Sequence, residues 1–250
     1  VPHPSHNYGF PKIFDWRKID GGVYMTPVIQ QGGCGSCYAV ASTDVATMRY
    51  RIKHGKDRPE ALKTRFSPQN VLGCSRTNQG CDGGYPLLVG RHGVELGFVP
   101  ESCQPYEGDN SCNSGCLGGE KVVHARKSEY IGGYYGAGNE VDMLKALKRG
   151  PIVVAVNAPP DLLYFHSGVY SHPLAHDHDE YDVNGISRWE KTNHAIAAVG
   201  WGEEILNGEL VKYWICKNSW GDRWGDDGYF YVRRGNDAMA IESMAVEISF

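Results

Sequence analysis

The stretch Gln31-Gly32-Gly33-Cys34-Gly35-Ser36-Cys37-Tyr38 runs straight into residues 37–54, a long segment with few helix breakers. A glycine-rich turn that opens at once into a helix places Cys37 in the helix's first turn. There it faces the positive end of the macrodipole. That placement favours thiolate over thiol, and the thiolate is the nucleophile. The fold must then bring a base to the start of this one helix. The candidates lie far downstream, in Asn193-His194-Ala195 and Lys217-Asn218-Ser219-Trp220-Gly221. A Cys, a His and an Asn distant in sequence are the pattern of a cysteine-nucleophile triad before folding.

The rest of the chain divides in character. The first half reads as helices and loops: a helix over Cys37–His54, another started by Ser67 as N-cap with Pro68 at the first helical position, and a third over 86–96, weakened by Gly90 and Gly93. Residues 100–120 read as loop. The second half offers a short amphipathic helix, Glu140–Arg149, closed by Gly150-Pro151, then strand-like runs at Ile152–Val156, 194–200, 213–217 and Tyr229–Arg233. Residues 171–191 read as a polar loop. The expectation is an α+β chain with a helical part, a β-rich part and a cleft between them, and such clefts are favoured ligand sites.

Bulk properties narrow the class. A net charge of −4 with ten His neutral gives no reason to expect nucleic acid or an anionic membrane surface as partner. No apolar run approaches the ~18–20 residues that span a bilayer. Val1-Pro2-His3-Pro4 lacks the charged start and apolar run of a signal peptide, so a processed or truncated product is expected. Eight cysteines in 250 residues point to an oxidising compartment. Cys216, inside the apolar run Tyr213-Trp214-Ile215, reads as a buried core thiol. There is no Asn-x-Ser/Thr sequon; Asn110-Ser111-Cys112 is only the rare Cys form, and glycosylation is not expected.

These residues resemble the papain family of cysteine peptidases, from Phe10-Pro11-Lys12-Ile13-Phe14-Asp15-Trp16-Arg17 to Ala240-Ile241-Glu242-Ser243. Tyr38, where the family usually has Trp, is similar to the cathepsin C (dipeptidyl-peptidase) branch, as are residues 128–136 and 233–243. The resemblance implies a papain-like two-subdomain fold over 1–250. It would have a helical left subdomain at roughly 25–122, an antiparallel β-barrel-like right subdomain at 123–250 with the arm 1–24 packing across it, and the active site in the cleft. It implies disulfides Cys34–Cys81, Cys74–Cys112 and Cys103–Cys116, with Cys37 free. Cys37 would be the nucleophile, its pKa brought from ~8.5 toward ~3.5–7.5 by the helix end and His⁺, and His194 its imidazolium partner. Asn218 would orient that ring, Trp220 would shield it, and Gln31 would donate to the oxyanion hole. Gln30 is a surface residue by default. Gly83, Gly84 and Tyr85 would bind substrate backbone, with Ala195 and Met244 lining S2. No cofactor is required. The cathepsin C branch binds chloride through two tyrosines; Tyr130 matches one, but Leu87 stands at the other and removes a hydroxyl.

The implied activity is removal of dipeptides from free N-termini of peptides and proteins in a lysosomal, vacuolar or secreted setting, by a zymogen-derived enzyme. An exclusion (pro) domain, upstream or as a separate chain, would be the partner, and a homo-oligomer of such units is a further expectation. Relatives are cut in the 171–191 loop. Competing readings are a papain-like endopeptidase and an inactive peptide-binding relative. Cys34-x-x-Cys37 also matches a redox pair, Cys34, Cys37, Cys74 and Cys81 could ligate zinc, and His172 to His178 with Asp177 could touch a metal. The redox reading leaves Asn-His-Ala and Lys-Asn-Ser-Trp-Gly unexplained, the glycine-rich context fits a nucleophile better than zinc, the His172–His178 stretch reads first as a solvated loop, and the intact Gln, Cys, His and Asn argue against an inactive relative.

Overall fold

The computed structural model describes residues 9–116, 122–170 and 191–250. Residues 1–4, the His172–His178 cluster and all but the last residue of the 171–191 loop lie outside these, so the expectations about a missing leader, a metal cluster and a cut loop fall on undescribed chain.

The chain forms β1 (Phe14–Asp15), α1 (Cys37–His54), α2 (Pro68–Cys74), α3 (Pro86–Glu95), β2 (Lys127–Tyr130), α4 (Glu140–Arg149), β3 (Ile152–Val156), β4 (Val169–Tyr170), β5 (His194–Leu206), β6 (Glu209–Lys217), β7 (Tyr229–Arg233) and β8 (Ala245–Ser249). Ser67 caps α2 by accepting from the Asn70 N–H, and Asn139 caps α4 through the Asp142 N–H. In α3 the two glycines let neighbours close in: a Cβ at Gly90 would lie 2.0 Å from Ser128 Oγ, and one at Gly93 would lie 2.2 Å from the Phe98 ring.

The sheet runs β2-β8-β3-β5-β6-β7-β4, with β1 on β5. Its pairings are antiparallel except β4 on β7. β5 and β6 are longer than the apolar runs suggest, because they form a hairpin through Asn207-Gly208, both at positive φ. Both faces of the sheet are buried at its centre. Val153, Ala195, Ala197, Val199 and Ile215 face α1, whereas Val154, Ile196, Trp214, Cys216 and Phe230 face a second core with Met143 and Leu147 of α4. A register shift between Ala198 and Gly200 adds one residue to β5 and turns Trp201 into that second core, where Phe14 stacks on it.

Helix α1 is buried over most of its length, between α2 and α3 on one side and β5, β3 and β8 on the other. This central position puts its first residue at the junction of the helices and the sheet. The three disulfides form as expected, and Cys37 and Cys216 are free.

Candidate active site

Cys37 opens α1 after the turn pinned by Cys34–Cys81. Gly35 is needed in that turn: its N–H donates to the Cys81 carbonyl at 2.9 Å, and a Cβ would meet the same oxygen at 2.5 Å. Cys37 is half-buried, and its sulfur is within reach of the backbone N–H groups of Cys37, Tyr38 and Ala195. Ala195 follows His194 at the start of β5, so the helix side and the sheet side meet at this sulfur.

His194 donates from Nε2 to Asn218 Oδ1 at 2.8 Å, which leaves Nδ1 for another proton. Asn218 Oδ1 also accepts from the Ser219 N–H at 2.9 Å. The indole of Trp220 stacks on the imidazole, centroids 4.9 Å apart, and covers that hydrogen bond. The sheet sets this spacing: Val156 pairs with His194 and Ala197 with Lys217, so His194 and Asn218 occupy adjacent strand ends.

Burial pushes the Cys37 thiol up. It pushes the His194 imidazole down, against the hydrogen bond to Asn218 that raises it. For Cys37 ionising alone, burial outweighs the nearby N–H groups of Ala195, Tyr38 and Cys37, which lower it. Proton transfer from Cys37 to His194 makes both charges at once, and each then serves as the other's counter-ion.

Gln31 is fixed on four sides. Its N–H donates to Ser219 O at 2.8 Å and its carbonyl accepts from Tyr106 at 2.8 Å. Its side-chain Oε1 accepts from Ser219 Oγ at 2.6 Å, and Nε2 donates to Cys34 O at 2.9 Å. An amide carries two N–H bonds, and Cys34 O takes one of them. Gln30 is exposed, with Nε2 on Trp220 O at 3.2 Å.

Gly83 takes φ +121° with open space where a side chain would be, and Gly84 packs so tightly on the Tyr38 ring and Asn78 that a Cβ would come within 2.5 Å. Tyr85 follows, 49% exposed, its N–H held by Asn78 Oδ1 at 2.8 Å. Ala195 and Met244 are buried, and the Met244 carbonyl accepts from Ala155, the strand partner of Ala195. Tyr130 is half-buried edge-on to Tyr135, and Leu87 packs into the α1-side core. Three supports escaped the sequence reading. Ser219 lies inside a motif already singled out. Tyr106, bonded to Ser36 Oγ at 2.5 Å, and Asn78 carry no local signal, because only folding brings them near.

The model of the family "Papain family cysteine protease" matches residues 10–248. A cathepsin C of Schistosoma mansoni is 37% identical over 240 residues, 94% of this chain and 51% of that protein. A dipeptidyl aminopeptidase 1 of Plasmodium falciparum is 30% identical over 309 residues, 95% of this chain and 44% of that protein. A cathepsin B-like CP3 of Giardia intestinalis is 33% identical over 241 residues, 94% of this chain and 73% of that protein. The chain thus spans about half the length of the first two relatives. Among solved structures, the proform of the ragweed pollen cysteine protease Amb a 11 superposes with a TM-score of 0.77 at 26% identity, over 98% of this chain and 68% of that one.

Proposed function

The chain belongs to the papain family of cysteine proteases, and on that premise we propose that it hydrolyses peptide bonds through Cys37 and removes dipeptides from free amino termini. The observation that carries the chemistry is the placement of Cys37 at the start of α1 beside the backbone of Ala195, with His194 held by Asn218 and covered by Trp220. His194 Nδ1 takes the thiol proton, and the thiolate forms a bond to the substrate carbonyl carbon. The carbonyl oxygen becomes an oxyanion, held by the Cys37 N–H and the second N–H of Gln31 Nε2. Collapse breaks the C–N bond, His194 returns the proton to the leaving amine, and a thioester remains. Water, deprotonated by His194, then releases the acid and the thiol.

Gly83 and Gly84 present backbone to an extended substrate, while Tyr85, Ala195 and Met244 frame its side chains. The dipeptidyl reading rests on Tyr38 and on the relatives named cathepsin C and dipeptidyl aminopeptidase 1. It requires an anion to hold the substrate ammonium and a wall against longer chains. Both would come from an exclusion domain, upstream or separate, and such units could assemble further. Three disulfides fit an acidic secretory-pathway compartment or secretion. Among the described residues no helix is long and apolar enough to cross a membrane. Leu87 at one of the two tyrosine positions removes a hydroxyl donor from the chloride site that the cathepsin C resemblance implies and leaves Tyr130 as the remaining match. The endopeptidase reading rests on the papain-family match itself, which leaves open where in a substrate chain the bond is cut.

A matched pair of fluorogenic dipeptide substrates, one with a free and one with an acylated amino terminus, separates the readings at mildly acidic pH with a thiol reductant. With the exclusion domain in the preparation, turnover of the free form alone is expected. Turnover of the acylated form by that preparation makes the protein an endopeptidase, and turnover of neither, with Cys37 inert to alkylation, removes the enzyme reading.

A further inference from the structure

We infer that Lys217 and Asp44 are a positioning pair that holds the catalytic groups of the two sides of the site in register. The inference rests on the peptidase reading above. Lys217 is the last residue of β6, immediately before Asn218, and its side chain is 1% exposed. A lysine ammonium has three hydrogens to place. They find Asp44 Oδ2, Thr26 Oγ1 at 2.7 Å and the Pro27 carbonyl at 2.8 Å.

The three acceptors lead to two different parts of the site. Asp44, 8% exposed on its side chain, lies on α1 seven residues after Cys37, about two turns along the same face. Thr26 and Pro27 begin the segment that ends in Gln30 and Gln31. There Gln30 bridges to Trp220, and Gln31 exchanges main-chain and side-chain bonds with Ser219. Lys217 itself continues into Asn218, whose N–H is fixed on Gly228 O at 3.0 Å. One ammonium therefore joins the helix of the nucleophile, the segment of the oxyanion donor and the strand end of the histidine's partner.

Stability is a poor reason for such a pair. A buried ion pair repays its desolvation only with good geometry, and well-packed apolar replacements are often neutral or better. The surroundings make it harder still, because Arg51 and Arg65 both oppose the Lys217 charge while Asp44 alone favours it. What the pair supplies is a fixed three-point geometry that an apolar contact lacks.

The test compares Lys217→Met and the double variant Asp44→Leu/Lys217→Met with the wild type. Melting temperature, kcat and KM on a peptide that the wild type cleaves, and the pH dependence of Cys37 alkylation are read for each. Alkylation of the native protein reports Cys37, because Cys216 is fully buried and the other six cysteines are paired. The single variant leaves Asp44 buried without its cation, so it loses melting temperature. The double variant recovers the melting temperature, yet its kcat stays down by about tenfold or more with KM within about twofold, and its alkylation profile moves toward that of an ordinary thiol near ~8.5. A double variant with wild-type kcat and alkylation profile overturns the positioning role and leaves the pair purely structural. A wild type that cleaves no peptide and alkylates as an ordinary thiol overturns the peptidase reading, and this inference with it.

Discussion

Two buried ion pairs tie α1 to the sheet, and they serve different ends of the helix. Near the amino-terminal half, Asp44 meets the point charge of Lys217, whose other hydrogens reach only Thr26 and Pro27. Near the carboxyl-terminal half, Arg49 meets Glu247 of β8 at 2.7 Å and spreads its fork over the carbonyls of Pro151, Gly150 and Ala146 at 2.5, 3.0 and 3.2 Å. Arg149 shares the same carboxylate. The second network ties α1 to the end of α4 and the start of β3, remote from Cys37. The comparison teaches that similar burial can do unlike work. A planar guanidinium with five donors closes a joint between elements, whereas a compact ammonium marks one point in space.

The largest expected break in this comparison is Arg49→Met. It strands Glu247 with only the more exposed Arg149 and removes three carbonyl bonds, for about 3–5 kcal/mol of destabilisation. Denaturant unfolding should show that loss, while kcat per titrated active site stays near wild type. A matching loss of kcat would erase the distinction between the two ends.

Gln31→Ala should do the reverse. Loss of the oxyanion donor costs about 2.7–4 kcal/mol of transition-state stabilisation, roughly 10²–10³ in kcat. Its stability should fall by less than that of Arg49→Met, by about 1–3 kcal/mol for the Ser219 hydroxyl left without its acceptor, and steady-state kinetics beside denaturant unfolding check both halves.

Thr26→Val sharpens the positioning role, since it removes one acceptor from Lys217 and leaves the ion pair. Leaving a buried donor unpaired costs about 1–3 kcal/mol in stability. A small kcat decrease in the direction of Lys217→Met is expected, and an unchanged kcat would argue that the pair is structural.

The smallest effects concern pH. Burial alone would push the Glu247 carboxyl up, but Arg149 and Arg49 outweigh it and hold it below the usual range. Its contribution is present above the ordinary carboxyl pKa and lost as pH falls through the depressed value. Glu242 is the opposite case: burial pushes it up to about 7, although the Gly235 N–H and Trp214 donate to it. Its contribution is full below the ordinary carboxyl pKa and lost as pH rises through about 7. Between about pH 5 and pH 7.5 Glu242 therefore lowers the melting temperature as pH rises, while His194 and His92, pushed down by burial, raise it. Glu242→Gln should remove the falling part, so its melting temperature rises more with pH than that of the wild type, while Glu247→Gln should alter only the acid side.

Much of the fold was legible because its signals are local. Ser67-Pro68 and Gly150-Pro151 delimit helices by their own chemistry, and Ile152–Val156 is an unbroken apolar run because both its faces are buried. β2 and β8 were not legible. Lys127–Tyr130 alternates weakly, and Ala245–Ser249 is too short to be distinguished from a turn until it finds β3 and β2.

The same division holds for the site. By itself the sequence determined the residue types and their spacing: a Cys at a helix start, a Gln six residues before it, and the Asn-His-Ala and Lys-Asn-Ser-Trp-Gly motifs, each readable because side-chain chemistry and helix or strand period act over a few residues. Only the tertiary structure decided that burial is the largest influence on Cys37 and on His194 taken singly. Only it decided that Tyr106 and Ser219 clamp Gln31, and that Lys217 reaches Asp44 across 173 residues of sequence. The reason is physical. Desolvation and ion pairing depend on what surrounds a group in space, and that is fixed by strand register and helix packing rather than by neighbours along the chain.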